Sequence, residues 1–202
     1  MPMNKIFATK RAGKLIAGVV AAAVAGMVAI FPGQPAVHDD TALAIKIMQP
    51  WEGRHLVAYL DTLPTKPVYT ICDGDTTDVR KGMVETPAGC DKRTAGKLER
   101  DYRPHLVKCV RNWDKAPLSW RGSMLTLAWN VGVGATCNST AVRIVNDAAR
   151  LRAEPNYRLS CEAATAFNKA GGVRLRGLVN RREMGDATRP GEAEVCVTGL
   201  PA

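Results

Sequence analysis

Two carboxylates and a threonine mark the part of the chain best suited to chemistry: Glu52 in Trp51-Glu52-Gly53, Asp61 in Tyr59-Leu60-Asp61, and Thr70 in Val68-Tyr69-Thr70-Ile71. Cleavage of a glycosidic bond needs two carboxyl groups in unlike surroundings, one protonated and one ionised. Glu52 suits the protonated role, because Met48 and Trp51 are apolar neighbours that would disfavour its charged form. A proton kept near neutral pH can then pass to the leaving oxygen. Asp61 suits the ionised role. The spacing alone is a common one, so the flanking residues must carry the specificity.

The elements around these residues predict how they are presented. Asp40 or Thr41 can cap a helix whose apolar positions Leu43, Ile47, Met48 and Trp51 recur at helical spacing. That helix delivers Glu52 at its end, with Gly53 as its stop. Val57–Leu60 and Val68–Ile71 read as strands before a turn at Asp73-Gly74, which predicts a β lobe of two or three strands. From Asp91 onward the pattern is helical. Leu98, Tyr102, Leu106 and Val110 keep a spacing of four, and Pro104 should kink or split that helix. The most apolar helix spans Pro117 to Val131, ended by Gly132 and Gly134. Ser139 or Thr140 starts another, and further helices are expected near Cys161–Lys169 and Leu178–Glu183. A small β lobe beside a larger helical lobe, with a cleft between them, is an α+β architecture.

The whole chain sets outer limits. Its 202 residues suffice for one globular domain and a short appendage, and its net charge of +9 favours an anionic partner or surface. Three Phe, four Tyr, four Trp and no nucleic-acid motif argue against nucleic acid. His38, His55 and His105 do not cluster as ligands, so neither a metal nor a cofactor is expected. No Gly-rich phosphate loop follows a strand, and no Ser-His-Asp order suggests acyl transfer.

Six cysteines (Cys72, Cys90, Cys109, Cys137, Cys161 and Cys196) contain no Cys-x2-Cys pair, which excludes a zinc ribbon. Up to three disulfides are expected. Fifteen pairings are possible, and joining sequence neighbours gives Cys72–Cys90, Cys109–Cys137 and Cys161–Cys196. Lys5, Lys10, Arg11 and Lys14 precede an uncharged stretch from Leu15 to Phe31 that holds six Ala and two Gly. Positive charge on that side predicts a cytoplasmic N-terminus and an exported remainder. At 17 residues the stretch is short and weakly apolar for a span. It reads either as a cleaved signal peptide, with processing near Ala25 or Ala36, or as an uncleaved anchor weak enough to leave the bilayer. Residues 1–37 therefore form an anchor and linker, and 38–202 the catalytic domain.

With Trp51-Glu52-Gly53, Tyr59-Leu60-Asp61 and Tyr69-Thr70-Ile71 stand Leu127-Ala-Trp-Asn-Val-Gly-Val-Gly134, Cys137-Asn-Ser-Thr140, Ala170-Gly-Gly172 and Gly177-Leu-Val-Asn-Arg-Arg-Glu183. Together these segments resemble the phage-type lysozymes, the glycoside hydrolase family of phage T4 lysozyme, and within it the exported endolysins. The similarity runs from about Leu43 to Cys196. It implies a lysozyme-like fold and hydrolysis of the bond between N-acetylmuramic acid and N-acetylglucosamine in peptidoglycan. It implies acid catalysis by Glu52 and a water held by Asp61 and Thr70 in an inverting reaction. Asn130 and Arg181 are the implied substrate-binding residues, Arg181 being suited to Glu52 itself or to a peptide-stem carboxylate.

The resemblance also implies a monomer that is held on the inner membrane and then released to the periplasm by a signal-arrest-release segment. Because that segment has no cysteine, a thiol-exchange switch is excluded. An embedded segment would instead hold Glu52, only 21 positions beyond Phe31, against the membrane. Three departures from the family pattern stand out. Eight residues separate Asp61 from Thr70, a longer spacing than the family's, with Leu63–Pro67 as an insertion and Thr65 as a competitor for the water. Asp75 stands where relatives often carry histidine, and Pro190-Gly191 interrupts a helix. The insertion and Asp75 leave open a membrane-tethered peptidoglycan-binding or regulatory protein with a degenerate site; the nearest enzyme alternative is a lytic transglycosylase, which needs one catalytic glutamate and no water-positioning aspartate.

Overall fold

The structure, a computed structural model, describes residues 6–29, 35–62 and 66–201. Ile30 and Phe31 of the apolar stretch, Lys5, Pro32 to Gln34 and Leu63 to Thr65 lie outside the described residues. The first helix, α1 (Lys10–Ala22), begins where the Thr9 hydroxyl accepts from the Ala12 N–H. Val24 and Met27 then close a tight turn, and β1 (Met27–Val28) pairs antiparallel with β2 (Val37–His38). The described part of the apolar stretch is thus the second part of a 13-residue helix, followed by a turn and a strand. Among the described residues no helix is long and apolar enough to cross a membrane. Ile6, Ala12, Val19, Val28 and Val37 instead join the main core.

Helix α2 (Asp39–Glu52) runs directly from β2 and buries Leu43, Ile45, Ile47 and Met48, each side chain contributing about 1.5–3 kcal/mol through removal from water. It is seated against α5 (Leu118–Val131), whose buried face includes Trp120, Met124, Leu125 and Leu127. Strands β3 (His55–Asp61) and β4 (Val68–Cys72) form an antiparallel pair. Their register shifts between His55 and Tyr59, and there Leu56 and Ala58 exchange backbone bonds with Glu85 and Met83. Of the two or three strands expected for the β lobe, two form, and Val57 and Val84 add a short bridge beside them. Ile71, Cys72 and Cys90 form the lobe's own small core with Leu56, Ala58, Val79 and Met83 packed on it.

After α3 (Pro87–Lys97), a π-helical turn at Leu98–Tyr102 leads into α4 (Arg103–Cys109). Pro104, lacking an N–H, is accommodated in the first turn of α4, where no helical donor is needed. Gly132 ends α5, but Gly134 lies inside the short α6 (Val133–Cys137), contrary to the expectation that both glycines are stops. Ser139 caps α7 (Thr140–Arg150) through the Val142 N–H. The helix expected to reach Lys169 ends earlier, as α8 (Tyr157–Ala164). Lys169–Ala170 and Val173–Arg174 are β5 and β6, a hairpin turned by Gly171 and Gly172 at positive φ. Helices α9 (Arg176–Arg182) and α10 (Glu192–Thr198) complete the helical lobe.

All six cysteines are bonded, as Cys72–Cys90, Cys109–Cys137 and Cys161–Cys196. These bridges tie β4 to α3, α4 to α6, and α8 to α10. The segment from Met184 to Gly191, where Pro190-Gly191 interrupts the helical pattern, packs against the end of α2. The Trp51 indole donates to the Pro190 carbonyl at 3.1 Å, and the Arg189 guanidinium lies 3.9 Å over the Trp51 ring. Trp51 thus faces this loop.

Candidate active site

Glu52 is the last residue of α2, and Gly53 follows it with φ +57, the left-handed conformation that lets the chain leave the helix at once. The carboxyl is 14 % exposed. Burial raises its pKa, and this outweighs the opposing pull of Arg181; the negative charges of Glu192 and Asp73 act in the same direction as burial. The C-terminal end of a helix dipole is also a poor place for an anion. The raised pKa is what a general acid requires.

Arg181 comes from α9. One nitrogen donates to Glu52 Oε1 at 2.6 Å and its Nε donates to Glu192 Oε1 at 2.9 Å. Arg182 donates to the other oxygen of Glu192, to Asn130 Oδ1 and, from Nε, to the Phe167 carbonyl. Two arginines and two carboxylates therefore form one buried, charge-balanced unit that fixes Glu52 Oε1. Asn130, at the end of α5, is exposed and serves as an acceptor for Arg182.

On the β-lobe side, the turn from Cys72 to Asp75 closes over Glu52. Ile71 and Asp75 exchange backbone bonds at 2.9 Å, and Gly74 takes φ +94 between them. A side-chain carbon on Gly74 would stand 3.9 Å from both Glu52 Oε2 and Trp129 Nε1, so the bare backbone forms a wall of the site. Trp129 of α5 donates its indole N–H to the Asp73 carbonyl at 3.1 Å and stacks beside Tyr102 at 5.3 Å.

Tyr59 stands opposite Thr70 in the β3–β4 register, and Asp61 opposite Val68. Residues two apart share a face of a strand, so Asp61, Tyr59 and Thr70 lie on the same face. Burial, then the charges of Asp61 and Glu52, push the Tyr59 hydroxyl above its ordinary range, which places this tyrosine within the field of both carboxylates. Thr70 is buried, and its hydroxyl makes one long bond of 3.4 Å to the Val68 carbonyl. Thr65 lies outside the described residues.

Asp75 is buried and held by Lys97 at 2.9 Å, Arg93 at 2.8 Å and the Thr77 N–H. Burial opposes its ionisation, yet these partners hold its pKa below the usual carboxylate range. The departure from histidine is therefore compensated by two cations from α3, and the turn is well supported.

The sequence did not single out Asp73, Arg54, Glu192, Trp129 or Tyr102 as parts of the site. Trp129 was visible within Leu127–Gly134, and Arg54 stands two residues after Glu52. For Glu192 no local signal exists, since it meets Arg181 only through the fold. Among the described residues no His, Cys, Asp and Glu group could hold a metal.

Comparison with known proteins fits this geometry. The SAR-endolysin of Enterobacteria phage P21 is 26 % identical over 152 residues, which is 73 % of this chain and 80 % of that protein. The endolysin from Escherichia coli O157:H7 phage FAHEc1 superposes with a TM-score of 0.62 at 21 % identity, covering 84 % of this chain and 98 % of that one. The active form of P1 phage endolysin Lyz superposes with a TM-score of 0.59 at 20 % identity and covers 98 % of each chain. These two structures share the fold of a small sheet beside a helical lobe. The phage lysozyme family model matches residues 49–185, a span that includes Glu52, both strands of the β lobe and Arg181. With a largely buried glutamic acid at the junction of such lobes, the chain belongs to the phage lysozymes and is a glycoside hydrolase.

Proposed function

We propose that this lysozyme hydrolyses the bond between N-acetylmuramic acid and N-acetylglucosamine in bacterial peptidoglycan by inversion. Glu52 protonates the glycosidic oxygen, and Asp61 with Thr70 holds the water that attacks the opposite face of the sugar. The observation that carries this reading is the largely buried Glu52 carboxyl, raised in pKa by burial against its Arg181 partner; Tyr59, on the Asp61 face of the β lobe, feels the charges of both carboxylates. Thr70 supports it because a hydroxyl with one long intramolecular bond is easily turned to a water. Asn130 and Arg181 act mainly through Arg182 and Glu52, and the substrate meets the exposed edge of Asn130.

The test is product analysis on purified peptidoglycan with Glu52→Gln and Asp61→Asn. Both variants should release no reducing ends while remaining folded. An active Asp61→Asn variant giving anhydro-sugar ends would instead assign a lytic transglycosylase. Binding without any reducing ends from the parent would assign a wall-binding module.

Residues 1–37 serve as a signal anchor, and residues 38–202 as the catalytic domain. Four lysines and arginines precede the apolar stretch, and the P21 relative is described as a SAR-endolysin. In the released form the same segment leaves the inner membrane and lies on the enzyme as α1, in the periplasm, as a monomer. The docked α1 and the 98 % coverage of the active P1 endolysin support this order of events.

A further inference from the structure

The Cys72–Asp75 turn is held from behind by a buried carboxylate that the catalytic reading does not use. Asp73 is fully buried. It accepts from Arg54 Nε at 2.9 Å and from the terminal nitrogen at 2.7 Å, and from the Thr94 hydroxyl at 2.8 Å. Arg54 is also bonded to Asp91 at 2.7 Å and to the Pro87 carbonyl at 3.3 Å. One arginine, two residues after Glu52, thereby joins the exit of α2 to the turn and to α3. The Asp73 carbonyl on the far side receives the Trp129 indole N–H at 3.1 Å. Gly74, the next residue, stands where an added side-chain carbon would lie 3.9 Å from Glu52 Oε2.

We propose that Asp73 is a positioning residue for the acid: clamped by Arg54 and Thr94, it fixes the Gly74–Trp129 wall against which the Glu52 carboxyl is seated. The proposal rests on the reading of Glu52 as general acid. A bidentate guanidinium–carboxylate pair fixes both distance and plane, which a single bond does not. The wall borders Glu52 Oε2, and a misplacement of the order of 1 Å at such a site costs up to about a hundredfold in rate. Charged groups around Glu52 are Arg181 from α9, Glu192 from α10 and Asp73 from the turn. Those around Asp73 are Arg54 and, through it, Asp91 of α3. Replacing Asp73 by a neutral group removes one negative charge near Glu52 and so favours the ionised form of that carboxyl.

The experiment compares the full chain with Asp73→Asn and Arg54→Lys, measuring kcat and KM on soluble peptidoglycan fragments from pH 4 to 9. For Asp73→Asn, kcat should fall about tenfold with KM within about twofold, and the alkaline limb of kcat should move to lower pH. Arg54→Lys keeps the charge but loses the fork, and should lower kcat several-fold at unchanged KM. It serves as the test if Asp73→Asn does not fold. An unmoved alkaline limb in folded Asp73→Asn, or parental kcat in folded Arg54→Lys, would overturn the proposal. Activity retained by Glu52→Gln would instead overturn the acid assignment beneath it.

Discussion

Arg11→Ala should detach the N-terminal helix from the enzyme. Its guanidinium donates to both oxygens of Glu194 at 2.7 Å and to the carbonyls of Met184 and Asp186 at 2.6 Å. The Glu194 carboxylate is 0 % exposed while Arg11 is 39 % exposed. Breaking a fully buried pair costs about 3–5 kcal/mol, and an exposed pair contributes about 0–1 kcal/mol. One partner is buried and the other is partly screened, so a loss of about 2 kcal/mol is expected. Thr9 and the Gly191 N–H still serve Glu194 after the substitution, which keeps the cost below the buried limit. In a protein of this size about 1 kcal/mol shifts the midpoint by roughly 2–4 °C, giving a fall of about 4–8 °C.

The effect should reach the catalytic side as well. The carbonyls held by Arg11 belong to the loop whose Pro190 and Arg189 engage Trp51, next to Glu52. Thermal unfolding followed by circular dichroism, trypsin cleavage near Lys10 and turbidity clearing of permeabilised cells read the three consequences. Lys14→Ala is the control, since it removes the same charge from an exposed position on the same helix. If Arg11→Ala melts within about 1 °C of Lys14→Ala and is cut no faster, the latch does not hold α1 and the reasoning fails.

Arg181→Gln removes the cation that opposes the raised pKa of Glu52, so the alkaline limb of activity should move upward while the protein loses about 3 kcal/mol from the half-broken Glu192 cluster; a downward shift of that limb in the folded variant would contradict this. Asp40, Asp75 and Glu194 are all held below their ordinary values, because their cation partners outweigh burial. Their stabilisation is present above the unfolded pKa values of about 4 and is lost as pH falls through the lower folded values. Urea midpoints should therefore drop below about pH 4, and a rise there would refute the assignment. The three disulfides span 18, 28 and 35 residues, so each restrains the unfolded chain by about 3–4 kcal/mol. Reduction should unfold the domain at 37 °C, as read by loss of near-ultraviolet dichroism, and an unchanged melt after complete reduction would show that the core suffices alone.

The parts of the fold written in local patterns were legible. The α2 pattern of Leu43, Ile47 and Met48 ended at Gly53 because apolar spacing and a left-handed stop are properties of adjacent residues. The cysteines are bonded in sequence order, so joining neighbours along the chain gave the pairing. Pro104 divided its helix through a missing donor, which no tertiary context can restore. The hairpin at Lys169–Arg174 was missed, since its strands are two residues each and carry no periodicity.

Sequence by itself determined the chemical inventory: a glutamate at a helix end, an aspartate and a threonine on adjacent strands, and the family they belong to. Tertiary structure alone decided what surrounds the glutamate. Arg181 lies 129 positions from Glu52, and Glu192 is brought to it by a third helix. Burial is a property of the assembled lobes, so the raised pKa of Glu52 exists only once the Gly74 turn and Trp129 close on it. The apolar N-terminal stretch shows the same division. Its composition permits a bilayer or a protein surface, and in this structure Val19 and Val28 lie in the main core while Arg11, just before the stretch, pairs with Glu194, a buried carboxylate far along the chain.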